Sequence, residues 1–202
     1  MNYLAHAYLA GPIDEVRLGN LISDFVKGRI ADAPFGTAVR HGLWMHRQVD
    51  MFVDAHPAFL ASRARFAPER SRVAGIVVDL VYDHFLAAEW ADHHPAPLAH
   101  YTADIYSLFA DHAHILPVRF QPVAARMTEY DWLSHYAHPD GLAAAIRGVS
   151  RRLSRAGHHL ADCQQDVDRH YADLRSDFHR LLPDAIAHAR QLQLAVPPLA
   201  PS

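Results

Sequence analysis

Residues 75–90, GIVVDLVYDHFLAAEW, restrict the fold of this chain more than any other segment. They are apolar around nearly the whole circumference of a helix, and such a helix is normally buried on every side. Ile76, Val77, Val78, Leu80, Val81, Phe85 and Leu86 surround two carboxylates, Asp79 and Asp83. Four residues apart, these acids share one side of the helix. An ionised carboxylate in an apolar setting is costly, so each must be paired, neutralised or bound to a metal. The chain must therefore wrap this helix and satisfy its acids at the same time.

The wrapping elements are predicted to be helices as well. Strand signals are nearly absent: no period-two alternation is sustained between hairpin turns. Proline, glycine and aspartate punctuate a helical pattern throughout. Helices are expected over residues 3–10, 15–27, 34–55, 68–93, 97–115, 123–137, 141–156 and 160–194, the last interrupted near Pro183. A chain of 202 residues buries a respectable core as one unit. The expectation is an all-α, single compact multi-helix domain over residues 1–195, with residues 196–202 as a frayed tail.

Composition narrows the setting. The formal net charge is −3 and half the residues are hydrophobic. No run of about twenty apolar residues suggests a membrane span. The opening MNYLAHAYLAGPIDE lacks a basic start and is not read as a signal peptide. The single cysteine, Cys163, excludes an intramolecular disulfide framework and fits a reducing cytoplasm. Most of the 17 histidines are expected on the surface. Lys27 is the only lysine, against 18 arginines. Arginine suits phosphate recognition through its planar fork, but codon usage accounts for the imbalance equally well, and only placement decides.

A second set of donors lies about thirty residues upstream of Asp79. His46 and Asp50 stand one helical turn apart, and Asp54 follows one turn later. Imidazole and carboxylate favour borderline-to-hard divalent ions. The lack of a cysteine cluster excludes a thiolate zinc site. Arg47 stands beside these donors, where a guanidinium suits a phosphate oxygen. The competing reading is an exposed helix face carrying a His46–Asp50 pair, and spacing alone leaves both open. Asp24, flanked by Leu21, Ile22 and Phe25, reads as another polar group on a core-facing helix. His6 is a lone imidazole among apolar neighbours, more often a satisfied core residue than a functional one. His84 points about a quarter-turn from Asp83, which suits orientation or proton transfer better than a place on the same ligand face.

Other motifs are missing. The sequence has no phosphate-binding glycine loop, dinucleotide fingerprint or nucleophile elbow. Arg63, Arg65, Arg70 and Arg72 form one basic cluster, and Arg151, Arg152 and Arg155 another. Solvated faces are the usual outcome for such clusters. A slightly negative chain without interleaved aromatic and basic residues gives nucleic-acid binding little support, though a basic patch can steer an acidic protein.

Several blocks together resemble one family. Met1-Asn2-Tyr3-Leu4-Ala5-His6, residues 19–28 (GNLISDFVKG), Met45-His46-Arg47-Gln48-Val49-Asp50, residues 79–86 (DLVYDHFL) and Asp168-Arg169-His170-Tyr171 are similar to the acyl carrier protein phosphodiesterases, over most of the chain. The resemblance implies a helical enzyme distantly related to HD-type metal phosphohydrolases. The order Asp83-His84 reverses the adjacent His-Asp that names the larger group, so ligand geometry does not carry over from it. The implied activity is hydrolysis of holo-acyl carrier protein to apo-protein and 4′-phosphopantetheine. Mn²⁺ is the implied ion, with Mg²⁺ or Fe²⁺ as alternatives. The resemblance makes Asp24, His46, Asp50, Asp79 and Asp83 candidate metal ligands, and His6 and His84 candidate proton-transfer or supporting groups. Arg47 is the candidate phosphate contact. The protein partner implied is holo-acyl carrier protein, with neither nucleic acid nor membrane. Two rival readings are a phosphohydrolase of a nucleotide or other small phosphodiester, and a non-catalytic helical module that binds carrier protein.

Overall fold

The structure, a computed structural model, describes residues 1–151 and 157–195, with side chains described for residues 1–151 and 162–195. The expected frayed tail, 196–202, lies outside the described residues, as do Arg152 and Arg155 of the second basic cluster. The helices are α1 (Tyr3–Leu9), α2 (Asp14–Ile22), α3 (Thr37–Ala55), α4 (Pro57–Ala64), α5 (Ser71–Ala88), α6 (Trp90–His93), α7 (Leu98–Asp111), α8 (Gln121–Glu129), α9 (Trp132–His135), α10 (Pro139–Ser150) and α11 (Gly157–Leu194). No strand occurs among the described residues.

The apolar helix is central, as its composition requires. Helix α5 packs against α1, α4, α10 and α11, and buries Val77, Val78, Val81, Tyr82, Phe85 and Leu86 in one shared hydrophobic core. Leucine-sized side chains contribute about 1.5–3 kcal/mol each when fully buried, so α5 anchors the fold. Among the described residues, no helix is long and apolar enough to cross a membrane.

Two glycines meet where α2 crosses α3. A Cβ on Gly19 would lie 2.0 Å from the Val39 carbonyl oxygen, and one on Gly42 the same 2.0 Å from the Val16 carbonyl oxygen. The two backbones are therefore in direct contact, which only glycine permits at both positions.

Several helix ends differ from the sequence expectation, each for a local reason. The expected 123–137 helix is split at Asp131, whose φ is 43°. The Tyr106 hydroxyl donates to Asp131 Oδ1 at 2.8 Å and accepts from the Leu133 amide at 3.0 Å, so a side chain from α7 fastens the break. The expected 68–93 helix is a 3-10 turn followed by α5 and α6, separated at Glu89. Helix α11 continues through Pro183, and its non-helical dihedrals fall at His170 instead. A proline inside a helix costs about 3 kcal/mol; the buried Leu181, Leu182, Ala185 and Ala189 on either side outweigh it.

Ion pairs fix α11 to the rest. Asp177, buried, accepts from Ser62 at 2.9 Å and from Arg65 Nε at 3.0 Å, and also pairs with Arg180. Arg70 makes a two-pronged pair with Asp166, at 2.6 and 3.1 Å. Two members of the first basic cluster are thus committed to holding helices together.

Candidate metal centre

The acids of α5 are answered largely by the start of the chain. Asp83 is wholly buried, and its two carboxylate oxygens accept the Leu4 amide at 2.8 Å and the Ala5 amide at 3.0 Å. Amides in the first turn of a helix have no partner within it, and a negative charge is favoured there. Asp83 therefore caps α1 from another helix. Burial pushes its carboxyl up to about 7, against the pull of those two amides. One turn earlier, Asp79 Oδ1 lies 2.8 Å from the α-nitrogen of Met1, which is also 3.7 Å from Asp50 Oδ1. Burial opposes the charge on that ammonium, but Asp79 and Asp50 outweigh it and raise its pKa to about 10.

With α1 fastened, His6 is directed into the fold. Its Nδ1–H donates to Asn20 Oδ1 on α2 at 3.0 Å, which leaves the Nε2 lone pair free to bind. That atom is 3.1 Å from Asp50 Oδ1. The glycine crossing brings α3 alongside, and the His46 ring stacks on His6 with centroids 3.9 Å apart. His46 Nε2 is 3.1 Å from Asp50 Oδ2 and 3.3 Å from Asp24 Oδ1. Although these oxygens are close, both buried Nε2 atoms lack an aligned hydrogen bond. One ligand atom each from His6, His46 and Asp50 falls within 4.8 Å of the others.

Such convergence suits a cation. Two imidazole nitrogens and a carboxylate oxygen, close together and without aligned hydrogen bonds, form a donor set for a borderline divalent ion. The Asn20 contact is of the kind that fixes the tautomer and orientation of a ligating histidine. In the protein without an ion, burial and the neighbouring His46 push His6 down to about 4. Burial works against a charged His46, but Asp24 and Asp50 outweigh it and push His46 up to about 9. Burial opposes the charge on Asp50 too, and the two histidines overcome it and hold Asp50 below the usual carboxylate range. His6 is thus neutral, with its lone pair presented, while His46 is protonated between two carboxylates.

A cleft of about 330 Å³ opens over this cluster, lined in part by Asp24, Lys27, His46, Arg47 and Asp50. Asp24 is not core-facing as the sequence suggested. It lies on a 3-10 turn after α2, Ser23–Phe25, with its side chain 73% exposed on the cleft rim. Arg47 directs its guanidinium to the carbonyls of Val26 and Gly28, at 3.2–3.3 Å.

The structure thus groups His46, Asp50 and Asp24, and adds His6 to them. Asp79 adjoins through Met1, and Asp83 is engaged with the α1 amides. His84 belongs to a different contact: its Nδ1 donates to the Tyr136 carbonyl at 2.6 Å, and its Nε2 accepts from the Tyr171 hydroxyl at 2.7 Å. Burial lowers its pKa, which fits a neutral ring joining α5 to α11. Tyr171 explains one of the sequence blocks near the C-terminus. Asn20 and the Met1 ammonium escaped the sequence reading. Asn20 offered only its place in a block beside Asp24, and a chain terminus offers no side chain to notice.

Comparison with known proteins decides the relationship. The profile of the family described as acyl carrier protein phosphodiesterase matches residues 1–185. The chain belongs to this family. It is 37% identical to the acyl carrier protein phosphodiesterase of Serratia proteamaculans (strain 568) over 195 residues, spanning 96% of this chain and 100% of that protein. It is 35% identical to the protein of the same name from Photorhabdus laumondii, over 91% of this chain and 92% of the relative. The Yersinia pestis member is 31% identical over 96% of this chain. No solved structure matches. His6, Asn20, Asp24, Lys27, His46, Arg47 and Asp50 all lie within the matched residues.

Proposed function

We propose that this chain hydrolyses holo-acyl carrier protein at the phosphodiester between a serine and 4′-phosphopantetheine. Water adds to phosphorus, the bond from phosphorus to the serine oxygen breaks, and that oxygen takes up a proton. The products are apo-protein and 4′-phosphopantetheine. The observation that carries this reading is the convergence of His6, His46 and Asp50 beside an open cleft that His46 and Asp50 line, in a member of this family.

His6, His46 and Asp50 would hold the ion, and Asp24 stands on the rim as a further carboxylate. Two imidazoles in the donor set favour Mn²⁺ or Fe²⁺ over Mg²⁺, which prefers oxygen ligands and keeps much of its water; Mn²⁺ is the ion the family resemblance implies. A divalent ion bound there would polarise the phosphoryl oxygens and make water a better nucleophile. Asn20 keeps His6 in the tautomer with Nε2 free. Asp24 is the exposed acid–base group nearest the cluster, placed to accept a proton from attacking water. Asp79 and Asp83 act by holding α1, and with it His6, in place. His84, bonded at both nitrogens, supports the packing of α5.

The test is mass spectrometry of holo-acyl carrier protein after incubation with the protein and Mn²⁺. The carrier protein should lose the mass of 4′-phosphopantetheine, and a chelator should prevent the loss. Unchanged substrate at every metal tried, or equal turnover with the chelator present, would overturn the proposal. Cleavage of simple nucleotide diesters at a comparable rate would favour the small-phosphodiester alternative.

A further inference from the structure

We propose that Lys27 is the residue that binds the substrate's phosphoryl group; this rests on the hydrolytic reading above. A phosphodiester is an anion, and Asp24 and Asp50 line the cleft it must enter. A cation on the cleft wall would offset these carboxylates beyond the charge that the ion supplies. Lys27 and Arg47 are the lysine and arginine that line it. The contacts of Arg47 set it aside: three of them go to the carbonyls of Val26 and Gly28, which occupies much of the fork that grips a phosphate.

Those two carbonyls flank Lys27. Arg47 thus holds the backbone immediately before and after the lysine. Gly28 completes the arrangement with φ +89°, a conformation that strains other residues. A Cβ on Gly28 would meet nothing within 4 Å, so glycine is there for the turn and not for space. Asp24, Lys27 and Gly28 are carried on a short segment whose start is fixed by the α2–α3 crossing and whose end is fixed by Arg47.

Lys27 itself is exposed, and its ammonium has no ion-pair or hydrogen-bond partner among the described residues. Arg65, Arg70, Arg175 and Arg180, by contrast, are each paired with a carboxylate. A lysine serving only solubility needs neither a fixed backbone nor a place in this cleft. A compact ammonium binds phosphate as a point charge. In a chain with 18 arginines, the single lysine stands where that chemistry is required. Lys27 is thus the catalytic cation, and Arg47 the positioning residue that presents it.

The experiment compares Mn²⁺-loaded wild type, K27M and K27R in metal content, affinity for inorganic phosphate, and kcat/KM on holo-acyl carrier protein. Metal content should be equal in all three. Phosphate affinity should fall about tenfold or more in K27M, the effect of losing one charge-assisted contact, and K27R should lie between. Turnover by K27M should fall about a hundredfold. The proposal is overturned if K27M binds phosphate as wild type does, if wild type binds none, or if K27M loses its metal. Should wild type leave holo-acyl carrier protein intact while phosphate affinity still separates it from K27M, the substrate assignment fails and the Lys27 site stands. Measurable and equal turnover by wild type and K27M overturns the Lys27 proposal alone.

Discussion

The imidazole rings of His6 and His46 lie face to face, 3.9 Å apart and 19° from parallel, and both Nε2 atoms approach the carboxylate of Asp50. Two like side chains in such contact cannot both be protonated, and they differ accordingly: His6 is driven down to about 4 and His46 up to about 9. An ion taking both nitrogens must displace the proton that His46 carries.

Removing Asp50 should therefore separate metal from fold. D50A is expected to retain its far-ultraviolet circular dichroism while its metal content, measured by mass spectrometry after dialysis, falls to background. A D50A protein that keeps one tightly held ion would show that the centre lies elsewhere.

Asn20 should matter without being a ligand. Losing the acceptor for His6 Nδ1 frees the ring to turn and change tautomer, and contacts of this kind are worth about 10- to 100-fold in metal affinity. Titration calorimetry on N20A should show that weakening. Affinity equal to wild type would mean that His6 needs no orientation.

The glycine crossing should tolerate no methyl group. G42A brings a Cβ to 2.0 Å from the Val16 carbonyl oxygen, and overpacking of this kind costs roughly 1–3 kcal/mol. Gly148 in α10 provides the contrast, because a Cβ there meets nothing within 4 Å. G148A should be neutral or stabilising by about 0.5–1 kcal/mol. Urea midpoints decide both.

Acid stability should depend on Asp177. Burial penalises its charge, but Arg65, Arg180 and Ser62 outweigh this and hold its pKa below the usual value. A carboxylate whose pKa is lowered by folding stabilises the native state above its unfolded pKa, about 3.9. That contribution disappears as the pH falls through the lower, folded-state value. D177N should lower stability at neutral pH and flatten the loss of stability in acid. Parallel acid unfolding curves for the two proteins would contradict the assignment.

How much of this was legible in the sequence depends on which groups satisfy which. The all-helical architecture and the central place of α5 follow from apolar periodicity, and the structure agrees. Asp79 and Asp83 announced that something polar met α5, yet their partners are the Met1 ammonium and the amides of Leu4 and Ala5. Backbone groups look the same at every position, so no residue type marked them. His46 and Asp50 were visible as a helical pair because one turn joins them. The approach of His6 was not, since it depends on a glycine contact and a cap, both long-range. Asp131 and Pro183 show the same limit: a hydroxyl from α7 breaks one expected helix, while buried leucines carry another across its proline.

The capping of α1 by Asp83 also has a consequence for the order of events during synthesis. A helix of seven residues is too short to persist alone in water, and its fastening carboxylate lies 78–79 positions further along the chain. His6 is thus made well before the carboxylate that fastens its helix, and its helix is capped only once α5 has been made. The centre matures when the chain folds back upon its own beginning.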